Sequence, residues 1–321
     1  MNKIALLTSG GDAPGMNAAI RSVVRTARFK NMEVYGVLRG YAGLLEGDMH
    51  LLTARDAGGI VHHGGTVLRT ARCARFREKA AQMEAADILK KHDIDGLVVI
   101  GGDGSMAGAA SLSALGISTV TIPATIDNDM NGTEETIGFD TAVNTVVEAA
   151  RRIRDTASSH DRAALIEVMG RHSGYIAVYA GLAAGAEYIL IPEEPFNRDA
   201  LARDLMAQAE KGRTNSLIIC AEGAADGNEL GRWLDAHTGI DVCTTILGYI
   251  QRGGAPSARD AILGAILGSA AVEALEEGCC HHLVGMHAGH VRLVSYDDAE
   301  KEKRKLETGL FRLADVLGTQ A

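Results

Sequence analysis

The stretch LVVIGGDGS at residues 97–105 decides the fold. Its first four residues form an apolar run of strand length, which is typical of a strand buried inside a parallel sheet. Gly101 and Gly102 end that run, and a helical pattern then continues through Ala114. A strand, a glycine turn and a helix in this order form the repeating unit of a parallel α/β sheet.

The same alternation of strand and helix recurs on both sides of this stretch. Apolar runs predict strands at Ile4–Leu7, Leu97–Ile100, Ser118–Ile122, Ala164–Val168, Ile189–Ile191 and Leu217–Cys220. Apolar residues spaced at i, i+3 and i+4 predict helices at residues 16–27, 140–153 and 258–275. We therefore predict an α/β fold of two Rossmann-like, three-layer domains whose sheets are mostly parallel.

The order of the predicted elements also divides the chain. The first set of strands ends near Gly138, and a second set runs from about residue 163 to residue 250. In this interpretation the helix at 258–275 returns to the first sheet, which makes both domains discontinuous. The predicted domains are residues 1–138 with 252–305 and residues 139–251 with 306–321.

The composition narrows the possible partners. The formal net charge is -9, so we expect no nucleic-acid binding, because an acidic chain is repelled by phosphate backbones. Hydrophobic residues make up 46% of the chain, yet no uncharged apolar stretch reaches the roughly 18 residues of a membrane span. Five cysteines without a CxxC pair favour a reducing compartment. We expect a cytoplasmic protein that does not contact membranes.

Two acidic loops follow predicted strands, where open α/β sheets bind their ligands. Asp103 stands among glycines, and a carboxylate beside bare backbone amides suits a magnesium ion shared with nucleotide phosphates. In the loop TIDND, Asp127 is the candidate base for an acceptor hydroxyl, Asp129 is a candidate for orienting the metal, and Thr125 supplies a hydroxyl. The alternatives are a helix-capping aspartate in the first loop and an Asx turn in the second.

An acidic protein that handles phosphate needs local basic groups, and several stand at loop positions. Residues 8–15 form a glycine-rich turn between a strand and a helix, whose amides either face an anion or make an ordinary βα turn. Arginine forks match phosphate oxygens in pairs and stay charged. The candidates are Arg72, Arg77, Arg162, Arg171 and Arg252. Any one of them alone is more readily explained as a solvated surface residue.

Several motifs, in this order along the chain, resemble those of the bacterial-type ATP-dependent 6-phosphofructokinases. They are LTSGGDAPGMNAAIR (7–21), Gly64-Gly65-Thr66, VVIGGDGS (98–105), TIDND (125–129), TIGFDTAVNTVVEA (136–149), EVMGR (167–171) and GYIQRGG (248–254). The resemblance extends from Ile4 to about Gly285. It implies transfer of the γ-phosphate of ATP to the 1-hydroxyl of fructose 6-phosphate, with Mg²⁺ as cofactor, by a homotetramer.

The resemblance also implies roles for individual residues. Asp127 would be the proton acceptor, Asp103 the magnesium ligand, and Arg72 and Arg171 the groups that stabilise the transferred phosphoryl group. The residues implied for ATP are Gly11, Arg72, Cys73, Gly102, Asp103, Gly104 and Ser105. Those implied for the sugar phosphate are Thr125, Asp127, Arg162, Met169, Gly170, Arg171, Glu222, Cys243, Tyr249 and Arg252. The first domain would then bind ATP and magnesium, and the second the sugar phosphate.

Two residues depart from the resemblance within one segment. The family commonly has Arg at the place of Cys243 and His at the place of Tyr249, and both hold the 6-phosphate of the sugar. We predict a strand at Asp241–Ile250, in which both positions share one face, so both changes alter one surface. Two interpretations stay open: a fructose 6-phosphate kinase with altered affinity, or a paralogue with another sugar-phosphate acceptor or a mainly regulatory role.

The resemblance favours ATP over pyrophosphate as the donor. Pyrophosphate-using relatives carry a second Asp where this chain has Gly104 and a Lys where it has Ala124. An effector pocket is also implied, at Arg21, Arg25, Arg154, Glu187, Lys211 and Arg213, although Ala54 and Asn215 depart from it. We expect an allosteric enzyme with a phosphate-bearing effector; the alternative is that these arginines only solvate a helix and an interface.

Overall fold

Two sheets organise the chain in the computed structural model, which describes residues 1–213, 215–301, 304–306 and 308–318. Both sheets are mostly parallel, so the predicted α/β class is confirmed. The chain divides into two compact units, Met1–Thr141 with Arg252–Arg304 and Ala142–Gln251 with Lys305–Ala321. Residues 214, 302, 303, 307 and 319–321 of the predicted domains lie outside the described residues.

The described residues contain eleven strands. In chain order they are β1 (Lys3–Thr8), β2 (Glu33–Val37), β3 (Met49–Leu52), β4 (Gly96–Gly101), β5 (Ser118–Pro123), β6 (Ala163–Val168), β7 (Tyr188–Leu190), β8 (Leu217–Ala221), β9 (Val242–Ile246), β10 (His282–His287) and β11 (His290–Ser295). The sheet of the first unit has the order β11-β10-β5-β4-β1-β2-β3, and that of the second has the order β7-β8-β6-β9. Antiparallel pairs, β2–β3 and β10–β11, close the two edges of the first sheet.

Helices connect most of these strands. They are α1 (Met16–Phe29), α2 (Gly40–Glu46), α3 (Lys79–Lys91), α4 (Asp103–Ser113), α5 (Phe139–Ser159), α6 (Tyr175–Ala184), α7 (Arg198–Glu210), α8 (Gly227–Thr238), α9 (Ala258–Glu276), α10 (Tyr296–Glu300) and α11 (Thr308–Gly318). Short 3-10 helices lie at Ala74–Arg77 and Gly248–Arg252. In the part of the chain that the structure describes, no helix has the length and apolarity that a bilayer crossing requires.

The central strand β4 shows how the sequence selects this architecture. All six of its residues are buried, because β1 and β5 pair with it in parallel on either side and helices pack over the sheet. Helix α9 belongs to this unit. Its Gly264 and Gly268 lie so close to α1 that an added Cβ would come within about 3 Å of the Ala19 backbone.

The predicted strand at Asp241–Ile250 is wrong in its second half. Strand β9 ends at Ile246, and Gly248 has a φ of 53°, a left-handed conformation that turns the chain into the 3-10 helix. Tyr249 therefore does not share a strand face with Cys243, and 83% of its surface is exposed. Period-2 alternation alone does not locate the point at which a chain leaves its sheet.

A buried carboxylate joins the starts of two helices in the first unit. Asp260, in the first turn of α9, is 1% exposed. It accepts hydrogen bonds from the Gly138 N–H and the Thr141 N–H, both at 2.8 Å, and from the Thr141 hydroxyl. Burial raises the pKa of Asp260 above its usual value, and these three donors oppose that shift. The first turn of α5 is thus fixed by a side chain of α9.

Asp260→Asn tests this anchor. The amide nitrogen cannot accept a hydrogen bond, so at least one buried donor loses its partner, and we expect the free energy of unfolding to fall by about 1–3 kcal/mol. Asp87→Asn makes the same chemical change at an exposed position of α3 and should alter stability by less than about 0.5 kcal/mol. Denaturant unfolding measures both. Equal stability of the two variants would contradict the anchoring role.

Candidate active site

Three loops of the first unit meet because their strands are neighbours. Strands β5, β4 and β1 lie side by side and parallel, so the loops that follow them leave the same edge of the sheet. The Ser9 N–H donates to the Ile100 carbonyl, and the Ala124 N–H donates to the Gly101 carbonyl, both at 3.0 Å. These bonds tie the first residues of the outer two loops to β4, which carries the middle loop.

A cavity of about 750 Å³ lies at this edge, within the first unit. Many of the residues predicted from the sequence line its wall. They are Gly11, Arg72, Cys73, Arg77, Gly102, Asp103, Gly104, Ser105, Thr125, Asp127 and Arg252. The structure therefore brings together the three predicted loops and three of the five candidate arginines.

Asp103 reaches the cavity from the start of α4. Gly102 is the extended N-cap residue of that helix, and the Ser105 N–H donates back to its carbonyl at 2.9 Å. An added Cβ at Gly101 would overlap the Ser9 carbonyl and the Ser105 side chain, so this turn requires glycine. Asp103 thus lies half-buried at a helix N-terminus, where the backbone contributes positive potential.

Asp127 is held in a polar turn. The Asp127 N–H donates to the Thr125 hydroxyl at 3.3 Å, and the Thr136 hydroxyl donates to the Thr125 carbonyl at 2.6 Å. The next residue, Asn128, is buried with a φ of 50°. The turn there separates the two acids: Asp127 lines the cavity, whereas Asp129, a predicted site residue, is not part of its wall. The turn bond at Asp127 is accepted by the Thr125 hydroxyl, and this polar turn is compatible with a site role for Asp127.

The basic groups of the cavity sit close to its glycines. A Cβ at Gly11 would overlap the Arg252 guanidinium, and Nη1 of Arg252 donates to the Asp12 carbonyl at 3.3 Å. Arg72 precedes the 3-10 helix at 74–77 and Arg77 ends it, and both line the same cavity. An anion in this cavity would therefore meet arginines from two separate segments.

Two aromatic side chains complete the wall, and neither was predicted. The rings of Tyr41 and Phe76 stack with centroids 4.0 Å apart and an interplanar angle of 16°. The Tyr41 hydroxyl donates to the Ser105 carbonyl at 2.6 Å, and burial raises the pKa of Tyr41 well above its usual value. Tyr41 lies in α2 and Phe76 in a 3-10 helix, and no motif in the sequence connects them. Only the sheet order brings both to α4.

The remaining predicted sugar-phosphate residues belong to the second unit. The loops after β6 and β8 are neighbours there, because these strands pair in parallel. The Glu222 N–H donates to the Val168 carbonyl at 2.8 Å, and the Gly223 N–H donates to the Gly170 carbonyl at 3.2 Å. The structure thus brings Met169, Gly170 and Arg171 beside Glu222, as their positions after predicted strands indicate.

Arg162 and Cys243 lie elsewhere in this unit. Nε of Arg162 forms an ion pair with Oδ2 of Asp241 at 2.6 Å, and Cys243 is half-buried on β9, opposite Ala164 of β6. No motif in the sequence marks Asp241 as a partner of Arg162. An acidic neighbour reduces the positive potential that this arginine offers to a phosphate.

The predicted effector residues fall into two groups. Within the second unit, Arg154 pairs with Glu187 at 3.1 Å and donates to the Gly185 carbonyl at 2.6 Å, while Glu187 accepts from the Leu217 N–H. Lys211 and Arg213 follow α7 in the same unit. In the first unit, Arg21 and Arg25 lie one turn apart on α1, and Arg25 donates to the Ala54 carbonyl at 3.3 Å.

Comparison with known proteins decides the family. A family model described as phosphofructokinase matches residues 3–275. The chain belongs to the phosphofructokinase family. Among its family relatives, the ATP-dependent 6-phosphofructokinase of Clostridium botulinum strain Alaska E43 is 49% identical over 318 residues, which is 99% of each chain.

Solved structures of the family show the same fold. The structure of phosphofructokinase from Saccharomyces cerevisiae matches with a TM-score of 0.86 at 38% identity. The match covers 93% of this chain and 45% of the yeast chain, so the present chain spans less than half of that relative. The pyrophosphate-dependent phosphofructokinase of Marinobacter aquaeolei matches with a TM-score of 0.85 at 24% identity, over 96% of this chain and 86% of that chain. The second likeness concerns the fold alone.

Two glycines of α4 give opposite predictions for the stability of the protein. A Cβ at Gly108 would lie 2.7 Å from ring atoms of Tyr41, whereas a Cβ at Gly104 would meet nothing within 4 Å. We expect Gly108→Ala to lower the free energy of unfolding by about 1–3 kcal/mol, because the packed ring must move. Gly104→Ala should leave it unchanged or raise it by up to about 1 kcal/mol. Thermal unfolding of both variants tests this prediction. Equal shifts in melting temperature would refute the packing role of Tyr41.

Proposed function

We propose that this chain catalyses the ATP-dependent phosphorylation of fructose 6-phosphate at its 1-hydroxyl. The observation that carries the proposal is the single cavity wall that holds Asp103, Asp127 and a set of arginines at the ends of three neighbouring strands. Phosphoryl transfer needs a base for the acceptor, a site for a divalent metal and positive charge around the phosphates. The names and identities of the family relatives support the same activity.

ATP is the proposed donor. Glycines 10–11 and 102 and 104 bring main chain to the cavity wall, and the N-terminus of α4, a favourable place for phosphate oxygens, lies among them. Arg72 and Arg77 add positive charge to the wall of the same cavity. The stacked Tyr41 and Phe76 give the cavity an apolar section that suits a nucleotide base.

Mg²⁺ is the proposed metal, and Asp103 would hold it. Among the residues that the structure describes, no group of three or more His, Cys, Asp or Glu side chains is arranged to bind a metal by itself. Magnesium fits this donor set, because it commonly takes one or two carboxylates and leaves its other positions to water and substrate phosphates. When bound, it would neutralise charge on the phosphates.

The proposed chemistry uses the chain's own residues as follows. Asp127 accepts the proton of the acceptor hydroxyl, whose oxygen forms a bond to the γ-phosphorus as the bond to the β,γ-bridging oxygen breaks and ADP leaves. Thr125 holds the Asp127 loop through its hydroxyl. Arg72 and Arg171 are the residues proposed to stabilise the negative charge of the phosphoryl group in transfer.

Residues of the second unit are proposed to bind the sugar phosphate. Met169, Gly170, Arg171 and Glu222 lie in neighbouring loops of that unit, and Arg162 adds charge there. Arg252, which belongs to the first unit, is proposed to contribute charge as well. The departures at Cys243 and Tyr249 and the Arg162–Asp241 ion pair all weaken the grip on a phosphate. We therefore propose a lowered affinity for fructose 6-phosphate rather than a changed reaction. Assembly as a cytoplasmic homotetramer, with a phosphate-bearing effector at the arginines described above, belongs to the same proposal.

An assay of purified protein with ATP, Mg²⁺ and a panel of sugar phosphates tests the function. We expect turnover on fructose 6-phosphate, and Asp127→Asn should lower kcat by roughly a hundredfold or more, since a positioned base contributes about that much. Asp87→Asn, the exposed control, should keep wild-type kcat. Turnover on another member of the panel alone would support the paralogue with a different acceptor, and no turnover at all would reject the proposal.

The donor assignment is tested at Gly104. Its Cβ position faces open space, so Asp can replace it without disturbing the fold and would place a negative charge on the cavity wall. We expect Gly104→Asp to lower kcat/KM for ATP by roughly a hundredfold, because like charges close together repel strongly in a partly buried site. Gly104→Asn has the same size without the charge and should retain more activity. If both variants keep wild-type values, the triphosphate does not pass this residue.

A further inference from the structure

A side-chain amide takes the place of a strand where β9 has ended. Strand β9 pairs with β6 as far as Ile246 opposite Glu167, and the Leu247 N–H still donates to the Glu167 carbonyl at 3.1 Å. The chain then turns away at Gly248. Just after the end of β6, the Met169 N–H donates to Oε1 of Gln251 at 3.1 Å. Gln251 thereby extends the hydrogen-bond ladder beyond the end of β9.

On its other side, the loop after β6 is fixed by main-chain hydrogen bonds. The carbonyls of Val168 and Gly170 accept from the N–H groups of residues 222 and 223, which follow β8. Gly170 has a φ of 137°, a conformation that favours glycine. An added Cβ at Gly223 would overlap the Arg171 carbonyl. The loop 168–171 is therefore fixed between the β8 loop and one glutamine side chain.

Gln251 has the burial that such a role requires. Its side chain is 0% exposed, and its Nε2 donates to the Gly248 carbonyl at 3.0 Å. A main-chain donor on one side and a main-chain acceptor on the other define the orientation of the amide. One side chain thus joins two segments: the loop that carries Arg171 and the turn that carries Tyr249.

We propose that Gln251 is a positioning residue for the acceptor side of the reaction. It acts through the loop 169–171, which it keeps in register with the turn at 248–251, and it does not itself bind the sugar phosphate. The inference rests on the proposed function, which assigns Met169, Gly170 and Arg171 to that substrate. Small displacements of such binding groups are costly, because catalysis depends on sub-ångström to ångström placement.

Hydrogen exchange tests the contact without any assay of activity. Gln251→Met keeps the volume of the side chain but removes both hydrogen bonds. We expect the Met169 amide to exchange roughly tenfold faster, which corresponds to the loss of about one hydrogen bond. Leu205→Ala, in α7 of the same unit, is the control, because it weakens a buried core position without touching the loop. Unchanged exchange at Met169 in Gln251→Met would overturn the proposal.

Steady-state kinetics then separate positioning from stability. The wild-type enzyme is measured first; if it shows no turnover on fructose 6-phosphate, the proposed function fails and exchange alone decides what Gln251 holds. With turnover, Gln251→Met should raise KM for fructose 6-phosphate by roughly tenfold while KM for ATP stays within about twofold. Leu205→Ala should move neither value. Equal changes in both KM values would refute a role specific to the acceptor.

Two further variants keep the test decisive. Gly223→Ala displaces the same loop from the β8 side and should raise KM for the sugar phosphate selectively as well. If Gln251→Met does not fold, Gln251→Asn carries the test, because it retains the amide but shortens the side chain by one methylene. Wild-type exchange and kinetics in both of these variants would show that the loop is positioned by other contacts.

Discussion

Strands β5, β4 and β1 run parallel and end at one edge of their sheet, and this shared edge decides which residues of the first unit can meet. Neighbouring strands lie about 4.8 Å apart, so loops that are distant in sequence start within one side chain's reach of each other. Gly11, Asp103 and Asp127 share a cavity wall for this reason. The buried ladder of β4 fixes the spacing, and the loops supply the chemistry.

The sequence predicts these loops because their signals are local. An apolar run followed by glycine marks a strand end, and the residue types that follow indicate phosphate and metal chemistry. Tyr41 and Phe76 gave no such signal, since each reads as an ordinary apolar residue of its own short helix. Their stacking depends on the position of α4 against α2, which follows from the sheet order and from the missing side chain at Gly108. Recognition by motif therefore finds polar site residues more readily than the apolar wall beside them.

The segment after β9 shows a second limit. Alternation of side chains predicts one strand through Ile250, yet the chain leaves the sheet at Gly248. A strand can end in this way without loss of stability only when the N–H group it leaves on the neighbouring strand finds another hydrogen-bond acceptor. The side-chain oxygen of Gln251 is that acceptor. A single side chain that replaces a strand produces no alternating pattern, so the sequence does not reveal it. The same replacement separates Tyr249 from the strand face that carries Cys243, so these two departures from the family do not share one face of β9.

The choice of substrate cannot reside in the fold. A relative named for ATP is 49% identical over 99% of the chain, and a solved structure named for pyrophosphate shares the fold with a TM-score of 0.85, so the backbone alone leaves the donor undecided. Discrimination between ATP and pyrophosphate must then come from single side chains at the cavity wall. A single charge there can change the affinity for a phosphate more than tenfold. Gly104, with open space where its side chain would be, removes a negative charge from the path proposed for the triphosphate. At the proposed sugar-phosphate site, Asp241 beside Arg162 has the opposite effect, because its negative charge weakens the attraction of Arg162 for a phosphate.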